Sequence, residues 1–149
     1  MRVQTIAIIA GLFLGATLGL ADDQPKDDHK ALQGAWQVGS HLPKAEPPVE
    51  YEQLVFKGDK LIFHTRLEDK RDVTETEFKL DPKSDPKEID ITPLEGGSKG
   101  QTYLGIYELK EGNLTIAYRG PGEKRPANFN AKQKDNGNVV FIYLIPPCK

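Results

Sequence analysis

The sequence predicts an all-β protein, built as a single small antiparallel up-and-down barrel of about eight or nine strands after an N-terminal signal peptide. Short runs rich in β-branched and aromatic residues recur every roughly 8 to 14 residues, separated by turn-forming Gly, Pro, Asn and Asp. No long segment has the helical spacing of apolar residues. Most turns are short, which favours strands that pair with their sequence neighbours.

The first 21 residues have the three parts of a secretory signal peptide. Arg2 supplies the positive charge, residues 6–14 form an apolar core, and Gly19 and Ala21 are small residues before Asp22. We therefore expect cleavage after Ala21 and export to the periplasm or the extracellular space. The alternative is an uncleaved membrane anchor, although a spanning helix usually needs about 20 strongly apolar residues.

Charge and length limit the function classes. The 149-residue chain has a formal net charge of −2, and removal of Arg2 with the signal peptide would make it −3. Interspersed charges without a basic patch predict no nucleic-acid partner. Residues 22–149 contain no second apolar run of spanning length, so stable membrane insertion is not expected after cleavage.

The N-terminal half begins with a short leader. Residues 22–30 are charged and contain Pro25, which predicts a disordered leader before a barrel domain over residues 31–149. Asp27 or Asp28 can cap a helical turn at residues 29–32, which Gly34 would end. Strands are predicted at residues 35–40, 53–57, 60–66 and 73–80.

Two of these strands are joined by a strong hairpin signal, because Gly58-Asp59 separates two apolar runs. Residues 73–80 alternate, so Thr74, Thr76 and Phe78 share one face of a half-buried strand. In the C-terminal half, glycine- and proline-containing turns separate predicted strands at residues 88–92, 103–109, 114–119, 127–132 and 139–145.

No catalytic or metal-binding pattern survives comparison with the chemistry it needs. Residues 96–100 match the G-x-S-x-G pattern, but a catalytic Ser98 would need a strand before it and a helix after it. A strand is predicted after Ser98, which favours a glycine-rich hairpin loop. His29, His41 and His64 match no metal-ligand spacing. We expect no enzyme activity, no metal and no cofactor.

Cys148 is the only cysteine, so an internal disulfide cannot form. A free terminal thiol is the preferred interpretation, and a disulfide to another chain is the alternative. The sequence gives no indication of a protein partner.

Candidate ligand-binding residues come from the apolar strand faces and from one cationic loop. Arg119 and Arg125 flank a Gly-Pro-Gly turn and could meet an anionic group at the barrel rim. The alternative places Arg125 against a neighbouring acid or a backbone carbonyl. The aromatic residues expected to face a ligand are Phe63, Phe78, Tyr103, Tyr107 and Phe141.

Gly34 and Trp36 are predicted to have structural roles. A tryptophan just after a glycine at the first strand of a barrel packs at the closed end, with its indole N–H bonded.

An ordered set of short motifs extends over residues 30–145. It consists of Leu32-Gln33-Gly34-x-Trp36, Phe56-x-Gly58-Asp59-Lys60, Leu80-Asp81-Pro82, Pro86-Lys87-x-Ile89-Asp90, Gly105-Ile106-Tyr107-Glu108-Leu109 followed by Leu114, and Arg125-Pro126-x-x-Phe129. In this set the chain resembles the lipocalin-like domain family typical of planctomycetes. The resemblance implies a small exported antiparallel barrel and supplies no catalytic residues.

Two functions follow from these expectations. The first is a lipocalin-like binding module that holds a small apolar or amphipathic ligand. The alternative is a structural or protein-interaction module of the cell envelope, with a packed barrel interior and no small ligand. An open, apolar-lined cavity above about 300 Å3 would favour the first, and an interior filled by aromatic side chains would favour the second.

Overall fold

The computed structural model describes residues 24–42, 49–130 and 139–147. The predicted signal peptide, the first two residues of the leader, residues 131–132 of a predicted strand, and Cys148 lie outside the described residues.

Within these ranges the chain forms one helix and eight strands. They are α1 (Gln24–Leu32), β1 (Gly34–Leu42), β2 (Val49–Lys57), β3 (Lys60–Leu67), β4 (Lys70–Asp81), β5 (Glu88–Pro93), β6 (Tyr103–Lys110), β7 (Asn113–Tyr118) and β8 (Val140–Ile145). Each strand pairs antiparallel with its sequence neighbours, and β8 pairs with β1 to close the barrel. This confirms the predicted all-β, up-and-down architecture.

The β2–β3 hairpin forms as predicted. Lys57 pairs with Lys60 across a two-residue turn, and Gly58 has a φ of 60°, in the region that favours glycine. The alternation predicted in β4 is also present, since Thr76 and Phe78 are buried while Glu77 and Lys79 are exposed.

Two β-bulges change which residues face inward. Pairing shifts register between Val38 and Ser40 in β1 and between Tyr51 and Gln53 in β2. An extra residue reverses the alternation of faces beyond it. As a result Tyr51 packs against the same interior cluster as Leu54, although the two are three residues apart.

Helix α1 begins at Gln24, where a disordered leader was predicted to continue to residue 30. A nine-residue helix is marginal on its own, so contacts with the barrel must stabilise it. Leu32 is completely buried, and the Asp28 carboxylate binds Lys87 and Tyr107. These partners lie more than fifty residues away, which is why local composition predicted only the helical turn at residues 29–32 and not the whole helix.

The strand predicted at residues 127–132 is wrong for its described part. Residues 127–129 form bends that lie on the outer face of the barrel. Phe129 packs there against Ile106, Ala117 and Val139, and Pro126 is buried. The hydrophobic signal of this segment comes from side chains that cover the sheet rather than from a strand within it.

Candidate functional site

Trp36 and Gly34 belong to the closed end of the barrel. The Trp36 side chain is buried, and its indole Nε1 donates a hydrogen bond of 2.8 Å to the backbone oxygen of Leu32. Gly34 has a φ of 113°, which lets the chain turn directly from α1 into β1. Both residues therefore lie where the helix meets the closed end of the barrel.

The carboxylate of Asp28 lies under α1 between two donors. Lys87 Nζ is 2.7 Å from Asp28 Oδ2, and the Tyr107 hydroxyl donates to the same oxygen at 2.8 Å. Burial, followed by the hydrogen bond and the negative charge of Asp28, raises the pKa of Tyr107 far above its ordinary value. Tyr107 is thus a neutral donor that connects β6 to the helix.

Phe78 and Tyr107, two of the predicted ligand-binding residues, are packed within this closed half. Phe78 meets Phe56 edge to face at 5.1 Å between ring centroids, and the His29 ring stacks on Phe78 at 5.4 Å. Both Phe78 and Tyr107 are almost completely buried, and neither lines the cavity described next. The structure gives them a place in the core.

The opposite half of the barrel contains an open cavity of about 320 Å3. It lies toward the end where β3 and β4 are joined by a tight turn and β5 and β6 by the loop of residues 94–102. Side chains from seven of the eight described strands contribute to its wall, and β1 is the strand without a lining residue. The lining residues are Tyr51, Phe63, Thr65, Thr74, Thr76, Ile91, Pro93, Tyr103, Tyr118 and Val140.

Four aromatic rings line the cavity. Tyr51 meets Phe63 edge to face at 6.3 Å, and Tyr103 meets Tyr118 at 6.0 Å. The hydroxyls of Tyr51 and Tyr118 are 3.1 Å apart, within hydrogen-bond distance. Burial and the nearby Tyr51 raise the pKa of Tyr118 well above its ordinary value, so this phenol stays neutral. Phe63 and Tyr103 are the two predicted ligand-binding residues that the structure places at the cavity.

Three threonines give one side of the cavity a polar character. The Thr76 hydroxyl donates to the backbone oxygen of Leu61 at 2.7 Å. Thr65 and Thr74 are half-buried, and their hydroxyls make no hydrogen bond to any other described residue. Thr74 lies directly opposite Phe63 across the β3–β4 pair. The cavity therefore offers unused hydroxyls beside aromatic faces.

Ser98 lies in the loop at the cavity mouth. Its hydroxyl oxygen accepts a hydrogen bond of 3.0 Å from the Tyr103 hydroxyl. The loop is further held by a backbone hydrogen bond of 2.9 Å from Gly100 to Pro93. Ser98 is thus in a tight loop followed by a strand, and it helps to fix the orientation of Tyr103.

Gly105 allows close packing just below the cavity. A Cβ atom at this position would lie 2.8 Å from the backbone oxygen of Ala117 and 3.0 Å from Cβ of Tyr118. Its other cross-strand partner, Ile89, would approach to 3.2 Å. The absence of a side chain at Gly105 therefore lets Ile89 and Tyr118 pack directly against β6. This packing lies between the open half of the barrel and the packed half.

Arg125 lies outside the barrel, contrary to its predicted place at the rim. Its Nη1 donates to the backbone oxygen of Gly105 at 2.6 Å and lies 2.8 Å from Asp90 Oδ1, and Nη2 is 3.3 Å from Glu88 Oε2. The acids belong to the outward face of β5, so they hold the cation away from the interior. The surroundings of Arg125 match the alternative stated from the sequence, in which this side chain lies against a neighbouring acid or a backbone carbonyl.

Phe141 and Arg119, two other predicted ligand-binding residues, do not line the cavity. Phe141 packs with the outer cluster of Ile106, Ala117 and Val139, because Val140 and Ile142 occupy the inward positions of β8. Arg119 follows β7, its backbone N–H donates to Leu104 at 3.1 Å, and its side chain is not among those that line the cavity.

Within residues 24–42, 49–130 and 139–147, no group of three or more His, Cys, Asp or Glu side chains is arranged to hold a metal ion. In the same part of the chain, no helix has the length and apolar character needed to cross a membrane.

Sequence reasoning missed several residues of the cavity. The alternation of residues 73–80 places Thr74 and Thr76 on the same face of β4 as Phe78. Of these three residues, only Phe78 was predicted to bind the ligand. Tyr51 was not assigned to a strand, and its inward position depends on the bulge in β2. Tyr118 is two residues after Ile116 in an alternating strand, which is the signal that could have identified it.

Comparisons with protein-family models, with curated proteins and with solved structures found no match to this chain.

Proposed function

We propose that this protein is an exported, non-enzymatic lipocalin-like barrel that binds a small amphipathic ligand in the cavity of its open half. The observation that carries the proposal is the cavity itself, with aromatic walls and available hydroxyls. Its volume of about 320 Å3 is at the lower end of the range of ligand sites. It would hold about ten water molecules at roughly 30 Å3 each, so the ligand is small.

The wall chemistry favours an amphipathic ligand over a purely apolar one. Tyr51, Phe63, Tyr103 and Tyr118 offer ring surface to an apolar body. Thr65 and Thr74 offer hydroxyls that can donate to or accept from a polar substituent. A few polar groups in a mainly apolar site are the usual means by which a ligand is oriented.

Export rests on the signal-peptide pattern of residues 1–21. If the peptide is removed as proposed, the intact mass of the recovered protein corresponds to a chain that starts at Asp22. Recovery of a chain that retains residues 1–21 would contradict this part of the proposal.

The alternative function is a structural or protein-interaction module of the cell envelope. It is favoured by the closed half, where Trp36, Phe56, Phe78 and Tyr107 fill the interior. Under this alternative the open cavity would be a packing defect at the barrel mouth rather than a site.

Binding of N-phenylnaphthylamine, a neutral probe that fluoresces in apolar surroundings, distinguishes the two functions. Thr74→Phe would fill the cavity opposite Phe63, so we expect the probe to bind the wild-type protein and not this variant. Thr115→Phe makes the same substitution on the outward face of β7 and should leave binding unchanged. Equal fluorescence from all three proteins would contradict the proposed site.

A further inference from the structure

A groove continues from the cavity onto the rim of the barrel. It has a volume of about 530 Å3 and shares Thr74, Pro93 and Tyr103 with the cavity. Its remaining lining residues come from the start of β4 and from the loop after β5, and they are Asp72, Val73, Glu95, Gly96, Gly97 and Ser98. A ligand whose body occupies the cavity would therefore extend a substituent into this groove.

The groove carries negative charge on both sides. Asp72 lies on β4 two residues before Thr74, and Glu95 lies on the facing loop. Among the described residues that line the groove, these two carboxylates are the only charged groups. Neither forms an ion pair with another described residue; Asp72 Oδ1 accepts only the adjacent backbone N–H of Val73, at 2.9 Å.

The arginines of β3 and β4 form ion pairs with other acids. Arg66 pairs with Glu50 and Glu52, and Arg71 lies 3.4 Å from Glu52 Oε2. These acids belong to β2, and neither arginine is among the residues that line the groove. The negative charge of Asp72 and Glu95 is thus available to a ligand.

We propose that the ligand is an organic cation, with a ring-bearing body in the cavity and an ammonium group between Asp72 and Glu95. This inference rests on the proposed function and specifies the ligand class for the same site. Tyr103 borders both the cavity and the groove, so its ring can meet the body on one side and the cation on the other. This ligand class differs from the anionic group that Arg119 and Arg125 suggest in the sequence.

Three indole compounds of similar size test the charge preference. Tryptamine is a cation at neutral pH, tryptophol is neutral and indoleacetate is an anion, and their affinities can be compared by titration calorimetry at low salt. Because rim charges are exposed, we expect tryptamine to bind about three- to tenfold more tightly than tryptophol. Indoleacetate should bind most weakly, and added salt should reduce the differences.

A charge-removing variant assigns the preference to the groove. Asp72→Asn with Glu95→Gln should bring the affinity for tryptamine to that for tryptophol, with tryptophol itself unchanged. The matched control, Glu108→Gln with Glu111→Gln, removes two exposed charges near the opposite end of the barrel and should retain the preference.

The outcomes separate this inference from the proposed function. Equal affinities, tighter binding of indoleacetate, or a preference that persists in the Asp72/Glu95 variant would overturn the cationic ligand and leave the cavity as a site. No binding of any of the three compounds would contradict the cavity as a ligand site, and with it the proposed function.

Discussion

Gly105→Ala tests the packing that separates the open half of the barrel from the closed half. The new methyl group would lie 2.8 Å from the backbone oxygen of Ala117 and 3.0 Å from Cβ of Tyr118, which are distances that force the strands to move. Overpacking of this kind costs about 1–3 kcal/mol. Reduced freedom of the unfolded chain offsets about 0.4–1 kcal/mol of that cost. We expect a net loss of about 1–2 kcal/mol in the free energy of unfolding.

Urea denaturation followed by the fluorescence of Trp36 measures this loss. Gly120→Ala is the matched control, because a Cβ there would meet no atom within 4 Å. Thermal denaturation gives an independent reading, since about 1 kcal/mol corresponds to roughly 4 °C for a domain of this size. Identical unfolding midpoints for the two variants would refute the argument that Ile89 and Tyr118 close over Gly105.

Three other perturbations address the closed end, the outer loop and the buried phenols. Asp28→Asn should lower the free energy of unfolding by about 1–2 kcal/mol in urea titrations. The substitution removes the negative charge paired with Lys87, whose side chain is one-third exposed. An unchanged midpoint would mean that this carboxylate does not hold α1 against the barrel. Arg125→Ala should destabilise by about 1–2 kcal/mol, since two carboxylates and a carbonyl lose their partner, whereas the exposed neighbour substitution Lys124→Ala should be silent in the same titration. In an alkaline titration of tyrosinate absorbance, Tyr107 and Tyr118 should stay protonated above pH of about 10 while the protein is folded. The contribution of these two phenols to stability should then be constant below about pH 10 and fall above it, because the unfolded chain loses those protons first. Ionisation of all five tyrosines together in the folded protein would contradict this.

The barrel could be predicted from sequence because its signals are local. The alternation of Thr74, Thr76 and Phe78 and the turn at Gly58-Asp59 each depend on a few adjacent residues, and both are present in the structure. A chain of short strands joined by short turns leaves few ways to pair them, so the closed order of strands followed from the same information.

The cavity was harder to predict because its composition depends on contacts distant in sequence. Residues 139–145 are apolar at every position, so alternation could not show that Phe141 faces outward. The position of Arg125 depends on Glu88 and Asp90, which lie on a strand thirty-five or more residues earlier. Tyr51 faces inward because of a bulge, and no local residue pattern marked it.

Native mass spectrometry of the protein recovered from cells that export it would test the ligand site most directly. We predict a reproducible extra mass on the wild-type protein that organic extraction removes, and its absence from the Thr74→Phe variant. Bare wild-type protein, with no shift in melting temperature across a panel of lipids and small amines, would contradict the cavity as a ligand site.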